Sequence, residues 1–427
     1  MLMHLIRRVA VVLFALAALV AVRTVTAQPS FQGLGDLPGG FVYSTALAIS
    51  GDGQVVVGSS ASSYPEAYRW TLAGGMVGLG MFSSPFPSSG AFAVSADGTV
   101  VVGSSNVNNQ YIEAFRWTQA SGLVGLGDLP GGIFESVALG VSGDGNVVVG
   151  FGRSADGREA FRWTAASGLV GLGDLPQNDV FSEAYGASAD GSVVVGYSRG
   201  ASGPEAFRWT EATGMVGLGA PSQDQFESRA LAVSADGTVI VGYAYYPPDG
   251  FQAFRWTQAS GMVSLGDLPG GLVNSRATAV SADGSVVVGW GTPSPVGYKE
   301  AFTWDAANGM RNLPQLLVNH YGMDLTGWTL PDATGVSADG LTIIGTGVHA
   351  GFGNNEGWIA DLNPAPLPGD FDADGDVDLD DFAAFVTCIN GPSTPASPLC
   401  APFDLSGDSD VDLDDAATLA NLFAQAP

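Results

Sequence analysis

A nine-residue pattern recurs seven times along the chain and constrains its fold more than any other feature. It reads SADGTVVVG at residues 95–103, and near-copies begin at Ser50, Ser142, Ser188, Ser234, Ser281 and Ser337. The Asp residues of successive copies are 45, 47, 46, 46, 47 and 56 residues apart. A period near 46 residues is typical of propeller blades and of helical arrays, so the chain is predicted to repeat one structural unit.

The content of each repeat indicates β-structure. The fifth copy contains the segments ALAVS, GTVIVG, FQAFRWT and GMVSLG. The Asp-Gly pair between the first two segments is a strong hairpin signal. The VVVG segment is apolar on consecutive residues, so it must be buried on both faces, as the middle strands of packed propeller blades are. These patterns predict an all-β propeller.

The two ends of the repeat region predict how the ring closes. The last copy has only three strand segments and ends with EGWIADL at 356–362, whereas an isolated fourth segment, GLGDL, lies at Gly33–Leu37. Six full units, three strands and one strand make seven blades, and closure leaves no unpaired inner edge. We therefore predict a seven-bladed β-propeller over residues 28–362, in which the N-terminal strand completes the last blade.

The N-terminus and the net charge indicate where the protein works and what it avoids. Arg7 and Arg8 precede an apolar run from Val9 to Val22, and VTA precedes residue 28. This pattern predicts a secretory signal peptide over 1–27, no membrane span after cleavage, and a secreted or cell-surface protein. The formal net charge is −27, which disfavours nucleic acid as a partner.

The signature EAFRWT…GLVGLGDLPGG at 113–132 resembles the HAF-repeat family of extracellular proteins, and relatives of it begin at Glu66, Glu159, Glu205 and Glu300. The resemblance covers roughly residues 33–362 and implies secretion and a repeat architecture, but no reaction. Because Glu, Arg and Trp recur together in nearly every unit, we interpret them as fastening blade to blade, with Glu paired to Arg. The Asp of the repeated turn is interpreted as bonding its own backbone.

The loops that differ between repeats carry the candidate ligand site. In an antiparallel meander, the joints after the second and fourth strands share one face, here called the variable face. We predict a ligand-binding aromatic cluster there, formed by Tyr243, Tyr245, Tyr246 and Trp290, for a glycan or a protein ligand. The favoured function is a non-enzymatic binding or scaffold protein without catalytic residues. The alternative is a carbohydrate-active enzyme, a glycoside hydrolase or lyase, with a carboxylate site on the same face.

After a Pro-rich linker at 363–369, the tail over 370–427 has the spacing of calcium loops. DFDADGDVDLDD begins at Asp370, and DLSGDSDVDLDD begins at Asp404; each places oxygen-bearing side chains at positions 1, 3, 5, 7, 9 and 12. Apolar helical spacing follows each loop. The predicted Ca²⁺ ligands are Asp370, Asp372, Asp374, Asp376, Asp378 and Asp381 in the first loop, and Asp404, Ser406, Asp408, Asp410, Asp412 and Asp415 in the second.

Two such half-hands with Asp at position 12 resemble a type I dockerin. That family uses paired calcium loops and their helices to dock onto cohesin modules, so the resemblance implies a cohesin-like or cell-surface docking partner. Cys388 and Cys400 enclose the joint between the two halves, and we predict a disulfide there.

Overall fold

The computed structural model describes residues 29–41, 43–108, 110–176, 180–201, 203–221, 227–350, 355–362, 385–389, 400, 405, 410–412 and 414–419. The chain divides into two compact units, one of Phe31–Asp361 and one of Met1–Ser30 with Leu362–Pro427. The predicted signal peptide and linker lie outside the described residues.

Strands dominate the larger unit, which confirms the all-β class. In the described part of the chain they fall into seven groups, here called repeats 1 to 7. Repeat 1 holds β2 (Ser44–Ile49), β3 (Val56–Ala61), β4 (Pro65–Thr71) and β5 (Gly75–Gly80); repeat 2 holds β6 (Ser89–Val94), β7 (Val100–Val107), β8 (Tyr111–Thr118) and β9 (Gly122–Gly125). Repeat 3 holds β10 (Gly131–Val141), β11 (Val148–Ser154), β12 (Gly157–Thr164) and β13 (Gly168–Gly171); repeat 4 holds β14 (Val180–Ala187), β15 (Val193–Gly200), β16 (Gly203–Thr210) and β17 (Gly214–Gly217).

The remaining repeats follow the same order. Repeat 5 holds β18 (Ser228–Val233), β19 (Val239–Tyr246), β20 (Gly250–Thr257) and β21 (Gly261–Gly266); repeat 6 holds β22 (Arg276–Val280), β23 (Val286–Gly291), β24 (Glu300–Asp305) and β25 (Gly309–Asn312). Repeat 7 holds β26 (Trp328–Val336), β27 (Thr342–His349), β28 (Asn355–Asp361) and β1 (Ser30–Gly33). Each repeat is an antiparallel meander, and short parallel pairings (β8 with β10, β12 with β14) join repeats 2 to 4 into one sheet.

The wider spacing before the last copy of the pattern reflects a short helix, α1 (Leu313–Asn319), between β25 and β26. Asn312 caps it, because its side chain accepts a hydrogen bond from the Gln315 backbone N–H at 3.0 Å. Leu313 and Leu317 are fully buried, so the insertion packs onto the sheets.

The N-terminal strand pairs with β28, as predicted, but it lies earlier in the chain than predicted. It is Ser30–Gly33 rather than Gly33–Leu37, and GLGDL forms the connection that follows it. The carboxylate of Glu356 fixes this register: it accepts from the Gly35 N–H at 3.0 Å, and a Cβ at Gly33 would lie 2.3 Å from it. The strand must therefore end at a glycine.

A closed cycle of backbone hydrogen bonds joins the seven repeated turns. In repeats 2 and 4 to 7, the N–H of the Ala after the first Ser of the turn donates to the carbonyl of the equivalent residue in the next repeat. In repeats 1 and 3 that residue is Gly, and the N–H of the following Asp donates instead. The donor–acceptor distances are 2.9 to 3.3 Å. The cycle passes through Gly51, Ala96, Gly143, Ala189, Ala235, Ala282 and Ala338 and returns to Gly51. The first strands of neighbouring repeats also contact one another in the same closed order, from β2 through β6, β10, β14, β18, β22 and β26 back to β2. This arrangement is propeller-like.

The core lies between adjacent repeats. Val57 of repeat 1 clusters with Ala91 and Phe115 of repeat 2, and Tyr68 of repeat 1 clusters with Ile344 of repeat 7. All five side chains are fully buried. Burying a large apolar side chain contributes about 1.5–3 kcal/mol, so the doubly apolar second strands predicted from VVVG tie each repeat to its neighbours.

In the smaller unit, residues 385–388 and 414–419 are helical among those described. Cys388 and Cys400 form a disulfide, which confirms that prediction.

Candidate functional site

The recurring Glu and Arg side chains serve the scaffold, but they do not pair with each other. The Nε–H groups of Arg69 and Arg255 donate, at 3.4 Å, to Gly carbonyls in the turn of the next repeat. The Glu113 carboxylate instead accepts from the Gly127 N–H at 3.1 Å. Residues three apart in a strand point to opposite faces of a sheet, so the predicted Glu–Arg pairing is wrong, whereas the Arg contacts do join neighbouring repeats.

The repeated turn also bonds to itself, as predicted. Ser95 Oγ donates to Asp97 Oδ1 at 2.6 Å, the Thr99 N–H donates to the same oxygen at 3.0 Å, and the Val100 N–H donates to Ser95 Oγ at 3.0 Å. Hydrogen bonds from Ser95 and Thr99 hold the pKa of Asp97 below its usual value, and the Ser192 N–H lowers the pKa of Asp190 to about 2. These carboxylates are accounted for by turn structure.

The four predicted aromatic residues do not form one exposed patch. Tyr243 and Trp290 are buried, at 5% and 8% exposure. Tyr246 is half-buried against the core cluster of repeats 4 and 5, and Tyr245 makes an edge contact with Phe251 at 5.4 Å between ring centroids. Tyr243 and Trp290 lie on the second strands, which are enclosed by neighbouring repeats, and this explains their burial.

One level of the first two strands differs from repeat to repeat, and we call it the variable layer. It consists of one cross-strand pair between the first and second strands of each repeat, on the side of the variable joints. The pairs are Thr45–Ser59, Gly90–Ser104, Val137–Phe151, Glu183–Tyr197, Arg229–Tyr243, Arg276–Trp290 and Asp332–Thr346. Because the first strands contact one another in a closed order, these pairs form a ring.

Cations alternate with aromatic rings along repeats 4 to 6 of the variable layer. The Cζ atom of Arg229 lies 4.2 Å from the ring centroid of Tyr197 in repeat 4 and 6.0 Å from that of Tyr243 in its own repeat. The Cζ atom of Arg276 lies 4.1 Å from the Tyr243 centroid and 5.2 Å from that of Trp290. These distances are those of cation–π contacts, so two of the four residues predicted to bind a glycan or protein ligand, Tyr243 and Trp290, are contacted by arginine.

Lys299 extends this series on the other side of Trp290. Its Nζ atom lies 3.9 Å from the Trp290 ring centroid. Asp332 in repeat 7 accepts a hydrogen bond from the Thr346 N–H at 3.2 Å. Burial raises the pKa of Asp332 above its ordinary value, and the charge of Lys299 opposes that rise.

The acidic member of repeat 4 is bound by other side chains. The carboxylate of Glu183 accepts from Arg158 Nη1 at 2.6 Å and from the Tyr185 hydroxyl at 2.6 Å. Arg158 also pairs with Glu135 at 3.2 Å and stacks over Phe151 at 4.2 Å. Glu183 is therefore an anchored anion.

The positions of the non-repeated Arg and Lys residues in the sequence point to the variable layer. Several arginines belong to the repeated FRW or YRW motif or to residues 1–27, and Arg311 pairs with Asp305 at 2.6 Å. The remaining basic residues all join the cation–aromatic series or its flanking ion pairs; they are Arg153, Arg158, Arg199, Arg229, Arg276 and Lys299. Apart from Arg311, the non-repeated Arg and Lys residues outside residues 1–27 are thus found in or beside the variable layer.

A second candidate site lies in the smaller unit. Carboxylate oxygens of Asp410, Asp412 and Asp415 all lie within 4.8 Å of one another, and Asp410 and Asp415 are buried. The Asp412 N–H donates to Asp415 Oδ2 at 2.7 Å. A buried set of oxygen ligands suits a hard divalent cation, so this cluster could bind a metal ion. The other predicted ligands, Asp370 to Asp381, Asp404, Ser406 and Asp408, lie outside the described residues.

Comparisons with known proteins give distant structural similarities and no family. No protein-family model and no curated protein matches the chain. Among solved structures, it is similar to an oligogalacturonate lyase from Vibrio parahaemolyticus, with a TM-score of 0.47 and 11% identity over 80% of this chain and 97% of that one. It is also similar to TolB from Acinetobacter baumannii, with a TM-score of 0.41 and 12% identity over 63% of this chain and 62%, about three fifths, of the TolB chain. Within the described residues, no helix has the length and hydropathy needed to cross a membrane.

Proposed function

We propose that the protein is a secreted, non-enzymatic binding or scaffold protein, built as a seven-bladed β-propeller and carrying a calcium-binding, dockerin-like module. One observation carries the proposal. The repeated polar side chains are occupied by turns and by contacts between repeats, whereas the non-repeated Arg and Lys residues other than Arg311 lie in the variable layer or contact its flanks. A feature present in every repeat serves the architecture, so the binding function is assigned to the layer that differs.

The closed cycle of turn hydrogen bonds and the pairing of β1 with β28 support the seven-bladed arrangement. In a closed ring of four-stranded blades, the inner ends of the blades surround a central opening, and ligands bind there from one face. The variable layer occupies the inner two strands of each repeat, beside the joints that differ in length and sequence. It is therefore the part of the scaffold suited to selecting a ligand.

A binding role fits the variable layer better than glycoside hydrolysis does. A carboxylate-pair hydrolase needs an acid and a second carboxylate on either side of the reacting bond. Glu183 is held by Arg158 and Tyr185, and Asp332 belongs to a repeat that is separated from it by repeats 5 and 6. Those two intervening repeats contribute the cations Arg229 and Arg276 to the layer.

The tail is assigned to Ca²⁺ binding and docking. Asp410, Asp412 and Asp415 stand at positions 7, 9 and 12 of the second loop spacing, and their oxygens converge. The all-oxygen ligand set suits Ca²⁺, and the ion would offset the mutual repulsion of the acidic tail. The module would then present its helices to a cohesin-like or cell-surface partner. The disulfide Cys388–Cys400 supports an oxidising, extracellular location.

Binding by the variable layer is testable with charge variants of the full chain. The purified protein is screened on arrays of immobilised glycans and secreted proteins, in parallel with R229Q/R276Q and with the control R69Q/R255Q. The control removes two arginines that contact turn carbonyls. We expect wild type and control to capture the same ligand and R229Q/R276Q to lose it. Equal capture by R229Q/R276Q, with melting unchanged, would remove the variable layer from the function.

A further inference from the structure

We infer that Arg229 and Arg276 form a receptor for the carboxylate group of an acidic sugar. The inference rests on the proposed function, because it names the ligand class of the variable layer. The first observation is that three cations have no ion-pair partner among the described residues. The ion pairs among the described residues involve Arg153, Arg158, Arg311 and His349. Arg229, Arg276 and Lys299 take part in none of them.

The three cations are also close together. Arg229 and Arg276 share the Tyr243 ring, so their Cζ atoms are separated by no more than the sum of 6.0 Å and 4.1 Å. Arg276 and Lys299 share the Trp290 ring in the same way, at 5.2 Å and 3.9 Å. Two described carboxylates act on this group from nearby, Glu227 on Arg229 and Asp332 on Lys299, but neither forms an ion pair with it. Like charges this close within a partly buried site attract a mobile anion.

The guanidinium groups have unused hydrogen-bond donors. The Nε–H of Arg229 and that of Arg276 are buried without an acceptor among the described residues. Both residues are nevertheless partly exposed. A buried donor without an acceptor is costly and uncommon in folded proteins. A bound carboxylate would supply acceptors to guanidinium N–H groups that the described residues leave unpaired.

The geometry favours a carboxylate over a neutral sugar. The planar guanidinium group offers parallel N–H donors that match the two oxygens of a carboxylate. The stacking faces of Tyr197 and Tyr243 are already occupied by arginine, so they do not offer a platform for a neutral sugar ring. Stacking instead fixes the guanidinium planes, which lowers the entropy lost when a carboxylate binds.

The opposite side of the ring favours a ligand with hydroxyl groups. Repeats 1 and 2 lie across the closed order from repeats 5 and 6, and they contribute Thr45, Ser59, Gly90 and Ser104 to the variable layer. Thr45 Oγ1 and Ser59 Oγ are 3.0 Å apart and bonded to each other. These side chains are small, and hydroxyl groups can donate to or accept from sugar hydroxyls. A sugar acid matches both sides of the ring.

The test is calorimetric titration of the full chain with glucuronate, glucose and acetate at low salt. We expect glucuronate to bind at least tenfold more tightly than either glucose or acetate. R276Q and R229Q should each weaken glucuronate binding at least tenfold, whereas R69Q should bind as wild type does. Thermal melting of each variant shows that it is folded, and R276K, which keeps the charge without the guanidinium fork, should restore only part of the affinity.

Three results would overturn the inference. These are no heat with glucuronate at millimolar concentration, equal affinity for acetate and glucuronate, and unchanged affinity in folded R276Q. The array screen separates this failure from failure of the proposed function. If wild type captures a neutral ligand that R229Q/R276Q does not, the variable layer still binds but does not recognise an acidic sugar.

Discussion

Removing residues 28–37 should open the ring, because these residues supply the closing strand and the connection after it. β1 pairs with β28 in repeat 7, and the following connection reaches repeat 1. The deletion leaves β28 as an unpaired edge, which is a site for pairing with other chains. We expect the shortened protein to aggregate or to lose cooperative unfolding.

The size of the effect follows from the buried side chains and hydrogen bonds that the deletion removes. Leu34 and Leu37 are each 5% exposed, and removing a buried leucine side chain costs about 2–5 kcal/mol. Three hydrogen bonds donated by the connection after β1 also disappear: Leu34 N–H to the Gly357 carbonyl at 2.8 Å, Gly35 N–H to Glu356 at 3.0 Å, and Leu37 N–H to Ser60 Oγ at 2.9 Å. Each contributes about 1 kcal/mol net. The total, about 7–13 kcal/mol, matches the whole stability of an ordinary domain, about 5–15 kcal/mol.

The assay is thermal unfolding followed by circular dichroism, with size-exclusion chromatography of the same samples. The point variant Leu34→Ala should lower the Tm by several degrees, since it removes one of the two leucines. Leu72→Ala is the matched control, because Leu72 is 73% exposed and should leave the Tm unchanged. A deletion protein that melts at the parent temperature and elutes as the parent does would show that β1 does not close the ring.

Three further predictions concern burial, metal and pH. Tyr243→Ala should cost about 3–5 kcal/mol of unfolding free energy, measured by urea denaturation, because a large buried ring is removed; an unchanged midpoint would mean that the ring is dispensable to packing. Calorimetric titration of the full chain with Ca²⁺ should lose one binding event in Asp415→Ala but not in the exposed Asp414→Ala, and equal stoichiometry in both variants would refute a site at this cluster. The folded-state pKa of Asp190 is lowered to about 2, below its unfolded value, so the stability it contributes is present above about pH 4 and is lost as the pH falls toward 2. The Tm of wild type should drop in that window and that of Asp190→Asn should drop less, whereas identical pH profiles would contradict this account.

Much of the fold was predictable because each repeat needs the same turn and the same second strand buried on both faces. The VVVG segments predicted strands buried on both faces, and Val56, Val57 and their equivalents are fully buried. The exact position of the closing strand was not predictable from β-type residues, because SFQG at 30–33 contains no run of apolar residues. Its register depends on the contact of Gly33 and Gly35 with Glu356, which is more than 320 residues away.

The candidate site was predictable only in part. The aromatic content of the variable joints pointed to Tyr243 and Trp290, but their exposure depends on the neighbouring repeats that enclose their strands rather than on the loops beside them. Arg229 and Arg276 give no signal of their own, because an arginine in a short β-segment carries no motif. The signal that identifies them is the equivalence of their positions in repeats 5 and 6, together with Glu183 and Asp332 in the neighbouring repeats.

Changes at scaffold positions are compensated within the same repeat, whereas the two arginines of the variable layer have no compensating acid in theirs. In repeat 3, Glu159 on the third strand faces Gly171 on the fourth strand. Glycine is needed at 171, because a Cβ at that position would lie 2.2 Å from the Glu159 carboxylate. In repeat 5 the same two positions hold Gln252 and Ser264, which bond to each other.

Arg229 and Arg276 replace neutral residues of repeats 1 to 3 without an acid beside them to form an ion pair among the described residues. Stability alone does not favour two neighbouring, unpaired cations. The anionic ligand that we propose would supply, from outside the chain, the compensation that is missing within the repeats.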